Sequence, residues 1–427
     1  VWKSHDGGVM FNSIFDDYCQ SIGAVAVDPI DPDNTVWVGT GEVWTRNSVS
    51  IGDGIYKTND SGKNWQKMGL EKTERISAIE IHPKDNNTVY VGAMGALWGD
   101  NEDRGVFKTV DGGKTWTKIL YLNAFTGCSD LVMDPSNPEI LYASFWEFRR
   151  TAWSFNSGGL NSSLHKSIDG GKTWVKIQNG FPTGVLGRIA VTVAPSNPSI
   201  LYAVVEAEKD TEKGLYRSDD AGATWKHLNS DFGLTVRPFY FSRIVVDPKD
   251  PQTVVKAGLS GSISHDGGKT FKSLGYMHSD IHDIWFDVKD SDKLFAATDG
   301  GLYRSLNGGI TMEIIEKYPE HFPWEHRYKS IPQNVHDAFK AECYPERAKS
   351  VESLFDELED GIGLIEQVKN QTCATMSTKF TKDDFVRFLD IMDENEKKRK
   401  EEESVEEIRA RKIWDKHYKK YGLKYRV

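Results

Sequence analysis

The sequence predicts a mainly β fold: a seven-bladed β-propeller of four-stranded antiparallel blades, the first blade incomplete, followed by a small α-helical region. An eight-residue pattern built around Asp, Gly and Trp recurs through residues 1–312 at intervals of roughly fifty residues, a period typical of repeat architectures. Short apolar runs separated by turn residues lie between the copies and indicate short antiparallel strands. We therefore divide the chain into a propeller over 1–312, a linker over 313–333, and a helical hairpin with a charged helical tail over 334–427.

The recurring pattern is predicted to be a structural turn. In the copy at residues 109–116, Asp111 is expected to accept hydrogen bonds from backbone N–H groups two residues on, while Gly112 and Gly113 take positive φ. The Trp that ends the pattern should start the fourth strand and pack between blades. The structural aspartates are Asp6, Asp60, Asp111, Asp169, Asp220 and Asp266, with a degenerate seventh copy at 305–312. A calcium or phosphate site is the alternative, but seven copies suit a turn better than seven active sites.

Each repeat is interpreted as four strands. The first is an apolar run that usually ends in Asp-Pro, the second follows a polar turn, the third begins with Gly, and the fourth follows the Asp turn. The first strands are predicted at 22–29, 76–83, 130–135, 189–195, 244–248 and 281–287. Residues 1–16 supply only a third and a fourth strand, so the missing pair of the first of the seven blades is expected to precede Val1. Radial stacking of such blades into a propeller protects their edges.

Charge and composition exclude several function classes. The chain has 53 basic and 63 acidic side chains, which argues against a nucleic-acid partner. No apolar run has the length of a transmembrane segment, and no cofactor motif is present. The four cysteines lack metal-binding spacing; Cys343 and Cys373 form either a disulfide or two buried thiols.

Beyond residue 333 the pattern changes to a helical one. Apolar residues from Val351 to Val368 repeat at intervals of three and four, and Thr381 is a good N-cap for a second helix. Residues 394–407 alternate in charge, and an aromatic and basic tail follows. This region is interpreted as an assembly element for a protein partner.

The Asp turns resemble the Asp-box (BNR) repeats of sialidase-like and sortilin-like propellers. Longer segments resemble the sortilin-N-terminal-like and glycosyl-hydrolase-like bacterial group: 39–42, 46–48, 52–54, 97–105, 149–159 and 237–243. The resemblance covers residues 1–312. It implies the propeller fold and a secreted or cell-envelope location, and it leaves activity open.

The loops opposite the Asp turns are the predicted functional face. They join second to third strands and fourth to first strands, and they are rich in arginine, which suits carboxylate or phosphate. By resemblance, such propellers bind a carboxylate or a peptide end. The candidate ligand-binding residues are Glu42, Arg46, Arg104, Arg149, Arg150, Tyr240 and Arg243. The alternative is that these arginines pair with nearby acids and brace the long loops.

A second constellation is His278, Asp280 and His282. If all three lie on one strand, they point to the same side, and imidazole with carboxylate suits a divalent transition metal. The alternative is a polar strand that lines the channel.

The sequence favours a non-enzymatic binding or scaffold propeller for a protein, peptide or anionic ligand. A secreted glycoside hydrolase, sialidase-like or xyloglucanase-like, is one alternative; its carboxylates would come from Glu42, Asp53, Asp130 and Asp283, although no catalytic motif surrounds them. A glycan is then the expected ligand. An assembly factor for a membrane complex is the other alternative. Catalytic residues are not assigned.

Overall fold

The computed structural model describes residues 1–317, except residues 9, 47 and 48. They form five four-stranded and one five-stranded antiparallel sheets, arranged as the six blades of a β-propeller and preceded by a two-stranded sheet. The predicted helical region, its cysteines and most of the predicted linker lie outside the described residues. No helix in the described part of the chain is long and apolar enough to cross a membrane.

The strands follow the same order in every blade, from the first strand at the central channel to the fourth at the rim. The two-stranded sheet contains β1 (Trp2–Lys3) and β2 (Asn12–Ser13). Blade 1 contains β3 (Ile22–Val27), β4 (Val36–Thr40), β5 (Ile55–Thr58) and β6 (Gln66–Lys67). Blade 2 contains β7 (Ile76–Ile81), β8 (Val89–Ala93), β9 (Gly105–Thr109) and β10 (Thr117–Leu120). Blade 3 contains β11 (Thr126–Met133), β12 (Leu141–Arg150), β14 (Ser163–Ser167) and β15 (Val175–Lys176), with the extra strand β13 (Phe155–Ser157) paired to the end of β12.

The remaining blades repeat this order. Blade 4 contains β16 (Leu186–Val193), β17 (Leu201–Ala207), β18 (Gly214–Ser218) and β19 (Lys226–Asn229). Blade 5 contains β20 (Arg243–Val246), β21 (Val254–Ala257), β22 (Ser262–Ser264) and β23 (Lys272–Ser273). Blade 6 contains β24 (Ile281–Phe286), β25 (Leu294–Thr298), β26 (Gly301–Ser305) and β27 (Glu313–Lys317). Three short 3-10 helices lie in the connections, at Glu71–Thr73, Asp210–Glu212 and Phe232–Thr235.

The number of blades and the end of the propeller differ from the prediction. The prediction of seven blades is wrong: residues 1–317 form six, because within this range β1 and β2 pair only with each other and a blade requires four strands. The irregular linker does not begin at residue 313, because Glu313–Lys317 pairs with β26 and completes blade 6. The alternation of short apolar strands and Asp turns did predict the order of the four main strands in each blade, but not β13 or the 3-10 helices.

The Asp turns hold each third strand to its fourth strand. Asp111 accepts hydrogen bonds from Thr109 Oγ1 (2.7 Å), Thr115 N (2.9 Å) and Thr115 Oγ1 (2.7 Å). The backbone donor is therefore four residues on, not two as predicted. Gly113 has φ +93°, and a Cβ there would lie 2.7 Å from the ring of Trp37 in the preceding repeat. The turn is thus both a local hydrogen-bonded unit and a contact between units.

Blades pack through apolar side chains that interleave between neighbouring sheets. Trp116, at the end of one Asp turn, donates its indole N–H to Met68 O (2.7 Å) and lies edge-on to Trp37, which belongs to blade 1. Ile79 and Ile81 of β7 belong to the same buried cluster as Trp37. The core therefore consists of apolar layers between consecutive blades. The connections between strands lie on the two opposite faces of the propeller.

Candidate functional site

The loops opposite the Asp turns form what we call the loop face. It comprises the second-to-third connections 41–54, 94–104, 151–162, 208–213, 258–261 and 299–300, and the segments 68–75, 121–125, 177–185, 230–242 and 274–280 before the first strands. Several loops share a small apolar cluster that includes Val43, Leu97, Trp146 and Phe148. The loop face is therefore a packed layer of its own.

Arg46 and Glu42 meet at the surface of this layer. They form an ion pair within the loop after β4, and the Arg46 side chain is 53% exposed. The Glu42 carboxylate also accepts the backbone N–H of Ser50 (3.0 Å). The hydrogen bond to Glu42 raises the pKa of Arg46, with smaller contributions from Tyr240 and Asp299. The Arg46–Glu42 pair therefore fits the alternative in which arginines pair with nearby acids and brace the long loops. The Arg46 side chain is nevertheless exposed to solvent.

Arg104 is fully buried instead of facing a ligand. Its guanidinium donates to the carbonyls of Met94 (2.7 Å), Ala96 and Gly99 (3.0 Å), and it stacks on the ring of Phe148. Burial lowers its pKa to about 10, so the group stays cationic at neutral pH. This position fits the bracing alternative.

Two further arginines occupy the hairpin formed by β12 and β13. Arg149 pairs with Asp100 and also contacts Trp98 O (3.4 Å), which ties the hairpin to the loop of blade 2. Arg150 stacks over Phe155. Trp153 at the hairpin tip is 87% exposed.

Arg243 lies where the loop face opens into the central channel. It begins β20 and borders a cavity of about 790 Å³ lined mainly by the first strands of the six blades. Its guanidinium is 3.5 Å from Asp283 and 3.9 Å from Asp130, and its Nε has no hydrogen-bond partner. The Asp283 carboxylate raises the pKa of Arg243. Among the predicted arginines, Arg243 combines a partly exposed side chain with a guanidinium Nε that has no hydrogen-bond partner.

Trp44 lies between residues of three other blades at the channel mouth. Its ring lies 4.7 Å from the Arg188 guanidinium, 5.7 Å from that of Arg243 and 6.0 Å from the His282 ring. Tyr240 approaches His282 from another side, with the ring centroids 5.5 Å apart. One loop of blade 1 thus reaches residues of blades 4, 5 and 6. The sequence held no signal for this contact, because it depends on how the loop crosses the channel mouth.

Three further cations are buried and were not among the candidate ligand-binding residues: Arg75, Arg188 and Lys256. They donate to backbone carbonyls: Arg75 to Gly95 (2.8 Å), Arg188 to Val43 (3.2 Å) and Phe239 (2.9 Å), and Lys256 to Phe241 (3.3 Å) and Ala257. Within residues 1–317, neither they nor Arg104 form an ion pair with a carboxylate. The sequence did contain one indication of a shared role for these arginines, because Arg75, Arg188 and Arg243 all lie close to the start of a first strand.

The buried acids of the channel shift toward their neutral forms. Burial raises the pKa of Glu80 to about 8, and the nearby Asp130 carboxylate adds to this shift. Burial also raises the pKa of Asp130 and of Glu206. Burial lowers the pKa of Arg75 and Arg188 only to about 9, so both stay charged at neutral pH. Beneath the loop face, two arginines are therefore cationic, while the pKa of each of these three acids is shifted upward.

The predicted metal ligands are not brought together. His278 and Asp280 precede β24, Asp280 has φ +60°, and the register shifts between Ile281 and Asp283, so the assumed strand alternation fails. His278 contacts the carbonyl of Ser279 (2.8 Å), and His282 bonds to Asp299 (2.7 Å). Among the residues that the structure describes, no group of three His, Cys, Asp or Glu side chains is arranged to hold a metal.

Two other predicted carboxylates have structural partners. Asp53 accepts the hydroxyl of Tyr56 (2.6 Å) and the ammonium of Lys67 (3.1 Å). Asp130 accepts the backbone N–H groups of Val191 (3.1 Å) and Leu131 (3.1 Å). Asp283 is more exposed and contacts Arg243.

Comparisons with known proteins agree with this architecture. The family model Sortilin-Vps10 (sortilin, neurotensin receptor 3) matches residues 1–144. A xyloglucanase from a Paenibacillus species is 24% identical over 59% of this chain and 26% of its own length, and xyloglucanase Xgh74A from Acetivibrio thermocellus is 24% identical over 59% and 32%. The crystal structure of an ancestral GH74 enzyme superposes with a TM-score of 0.54 at 16% identity, over 75% of this chain and 40% of that one.

The chain spans about a quarter to a third of the length of these curated relatives. The likeness to the solved structure therefore supports the fold, and the matched segments support the predicted resemblance. Residues 1–317 are a six-bladed Asp-box propeller that resembles the sortilin-like and glycosyl-hydrolase-like propellers.

Proposed function

We propose that the propeller is a non-enzymatic binding module whose loop face recognises a carboxylate-bearing segment of a protein or peptide. The observation that carries this proposal is the set of buried arginines, Arg75, Arg104 and Arg188, which hydrogen-bond to backbone carbonyls and have no ion-pair partner in the described chain. A buried charge without a counterion is costly, so an anion near it gains electrostatic free energy.

Arg243 is the residue best placed to contact such an anion. Its side chain is 28% exposed at the channel mouth, and its two acidic neighbours lie at long distances of 3.5 and 3.9 Å. A ligand carboxylate would offer the guanidinium fork a bidentate partner. Trp44 lies beside it and Tyr240 contacts the neighbouring His282, and both rings would pack against the apolar part of a peptide. By its resemblance to secreted proteins, we also propose that the chain acts in the cell envelope or outside the cell.

The test uses two pools of random heptapeptides that differ only in the C-terminus, a free carboxylate or an amide. We expect the carboxylate pool to bind at least tenfold more tightly in fluorescence anisotropy, and the difference to weaken with salt. Arg243→Gln should remove the preference. Arg304→Gln is the matched control, because Arg304 is 27% exposed and pairs with Glu313 near an Asp turn, away from the loop face. Equal binding of both pools, or an unchanged preference in Arg243→Gln, would refute the proposal.

A glycoside hydrolase is the second candidate, and two observations favour it. The curated relatives are xyloglucanases, and Asp130 and Asp283 flank Arg243, with the pKa of Asp130 raised by burial as a general acid requires. The exposed Trp98 and Trp153 on the loop face would suit stacking on sugar rings.

Xyloglucan incubated with the purified chain distinguishes the two candidates. New reducing ends that disappear in Asp130→Asn and Asp283→Asn, but persist in the control Asp53→Asn, would establish hydrolysis and overturn the non-enzymatic proposal. We expect no turnover.

A further inference from the structure

Lys256 lies in β21 and is buried beneath the loop face, with 2% of its surface exposed. Its Nζ donates to two backbone carbonyls, those of Phe241 (3.3 Å) and Ala257. Within the part of the chain that the structure describes, these are its hydrogen-bond acceptors, and no carboxylate forms an ion pair with it. An ammonium group has three N–H donors, whereas a neutral amine has two donors and a lone pair. The two acceptors therefore match the neutral amine.

The surroundings of Lys256 also favour this neutral form. Burial lowers the pKa of Lys256 to about 7, and the like charge of Arg188 adds to the shift. A large fraction of the side chain is therefore an unprotonated amine at neutral pH. A desolvated lysine beside another cation is an arrangement in which this side chain acts as a nucleophile. The propeller thus contains a buried nucleophile that the loop-face proposal does not use.

A small space borders this amine. A Cβ built on Gly258 would meet Lys256 Nζ as its nearest atom outside the chain neighbours, at the ordinary van der Waals distance of 3.4 Å. Because Gly258 has no side chain, the space that a methyl group would fill remains beside the amine. Ser242 follows Phe241 in the chain and is 6% exposed, and its hydroxyl has no hydrogen-bond partner among the described residues. The amine is therefore accessible to a small molecule and closed to a large one.

We propose that Lys256 is a carbamylation site that binds carbon dioxide covalently. The Nζ lone pair attacks the carbon of carbon dioxide and forms an N–C bond, while the electron pair of one C=O bond moves onto its oxygen. The nitrogen releases one proton to solvent, and a carbamate anion remains. This anion supplies a counter-charge to Arg188, which forms no ion pair in the described chain, and an acceptor for the Ser242 hydroxyl. Both groups are stabilised, because a buried charge and a buried donor are costly when they lack a partner.

Carbon dioxide is the electrophile that these observations select. It is small and uncharged, so it can reach an amine that is almost closed to solvent, and it converts that amine into an anion near an arginine. An aldehyde would also react with the amine, but the resulting Schiff base carries no negative charge and leaves Arg188 without a counterion. The proposal therefore concerns a modification by carbon dioxide and not a general reactivity of the lysine.

The test incubates the purified full chain with isotope-labelled bicarbonate at neutral pH and traps carbamates as ethyl esters with triethyloxonium. Peptide mass spectrometry then locates the label. We expect the label on Lys256 and its loss in Lys256→Gln. Lys57→Gln is the matched control and should keep the label on Lys256, because burial also lowers the pKa of Lys57, although that lysine lies over the Trp37 ring in blade 1. Bicarbonate should also raise the Tm of wild type relative to chloride at equal ionic strength, and it should leave the Tm of Lys256→Gln unchanged.

Absence of the label from Lys256 in the folded wild-type chain would overturn the proposal. Equal labelling of Lys57 and Lys256 would do the same, since the reaction would then not depend on the site described here. The wild-type result decides the matter even where Lys256→Gln does not fold, because the label is assigned to individual lysines. No peptide is present in the assay, so its outcome is independent of the loop-face ligand.

Discussion

Replacing Arg104 by methionine tests whether this arginine braces the loop face. The substitution keeps the length of the side chain and removes the donors to the carbonyls of Met94, Ala96 and Gly99. Met94 and Ala96 are buried, so water cannot readily replace these bonds. Two orphaned buried carbonyls cost about 1–3 kcal/mol each. Removing a buried charge offsets part of that cost, and we expect a net loss of about 3 kcal/mol.

Urea unfolding followed by tryptophan fluorescence measures this loss. For a domain of roughly 300 residues, with an unfolding entropy of about 2.1 cal/mol/K per residue, about 3 kcal/mol corresponds to a Tm lower by about 4–5 °C. Arg46→Met is the control, because Arg46 is 53% exposed and exposed ion pairs contribute about 0–1 kcal/mol. Gly95→Ala should act in the same direction as Arg104→Met, since a Cβ at Gly95 would lie 2.2 Å from Arg104 Cγ. A free energy of unfolding for Arg104→Met within about 0.5 kcal/mol of wild type would refute the bracing role.

Two pH predictions follow from buried and hydrogen-bonded groups. Burial lowers the pKa of Lys256 from 10.5 to about 7, so the unfolded state binds more protons between these values and the free energy of unfolding rises with pH. In urea titrations the wild type should gain stability relative to Lys256→Met from pH 7 to pH 10, and a constant difference would contradict this. Hydrogen bonds from Thr115 lower the pKa of Asp111 from 3.8 to about 2, so its contribution is present above pH 3.8 and is lost as the pH falls toward 2. The stability advantage of wild type over Asp111→Asn should therefore shrink in acid unfolding followed by circular dichroism, and parallel curves would count against the turn as an acid-sensitive element.

The loop-face residues show which parts of a site a sequence can indicate. Arginine enrichment on the predicted functional face selected Arg243, which borders the channel and whose Nε lies 3.5 Å from Asp283 without a hydrogen bond. The same criterion also selected Arg104, although it is buried against Phe148. Both are arginines of the predicted functional face, Arg104 in the loop before β9 and Arg243 at the start of β20. The difference lies in whether a neighbouring loop covers the guanidinium, which depends on contacts between blades.

The histidine constellation failed for a related reason. Strand alternation would place His278, Asp280 and His282 on one side, but β24 begins only at Ile281 and its register shifts at the next residues. A bulge changes the direction of every side chain beyond it. Sequence periodicity does not specify where such a shift occurs.

By itself the sequence determined the repeat, the order of strands within each blade and the position of every Asp turn. These features are local, because in each of these copies the aspartate accepts the backbone N–H of the residue four positions on, and the two residues after the aspartate take positive φ. The tertiary structure decided what the repeats do not encode individually. It placed Trp44 of blade 1 against Arg188, Arg243 and His282 of three distant blades. This outcome depends on the arrangement of the blades around the channel, where residues far apart in sequence become neighbours.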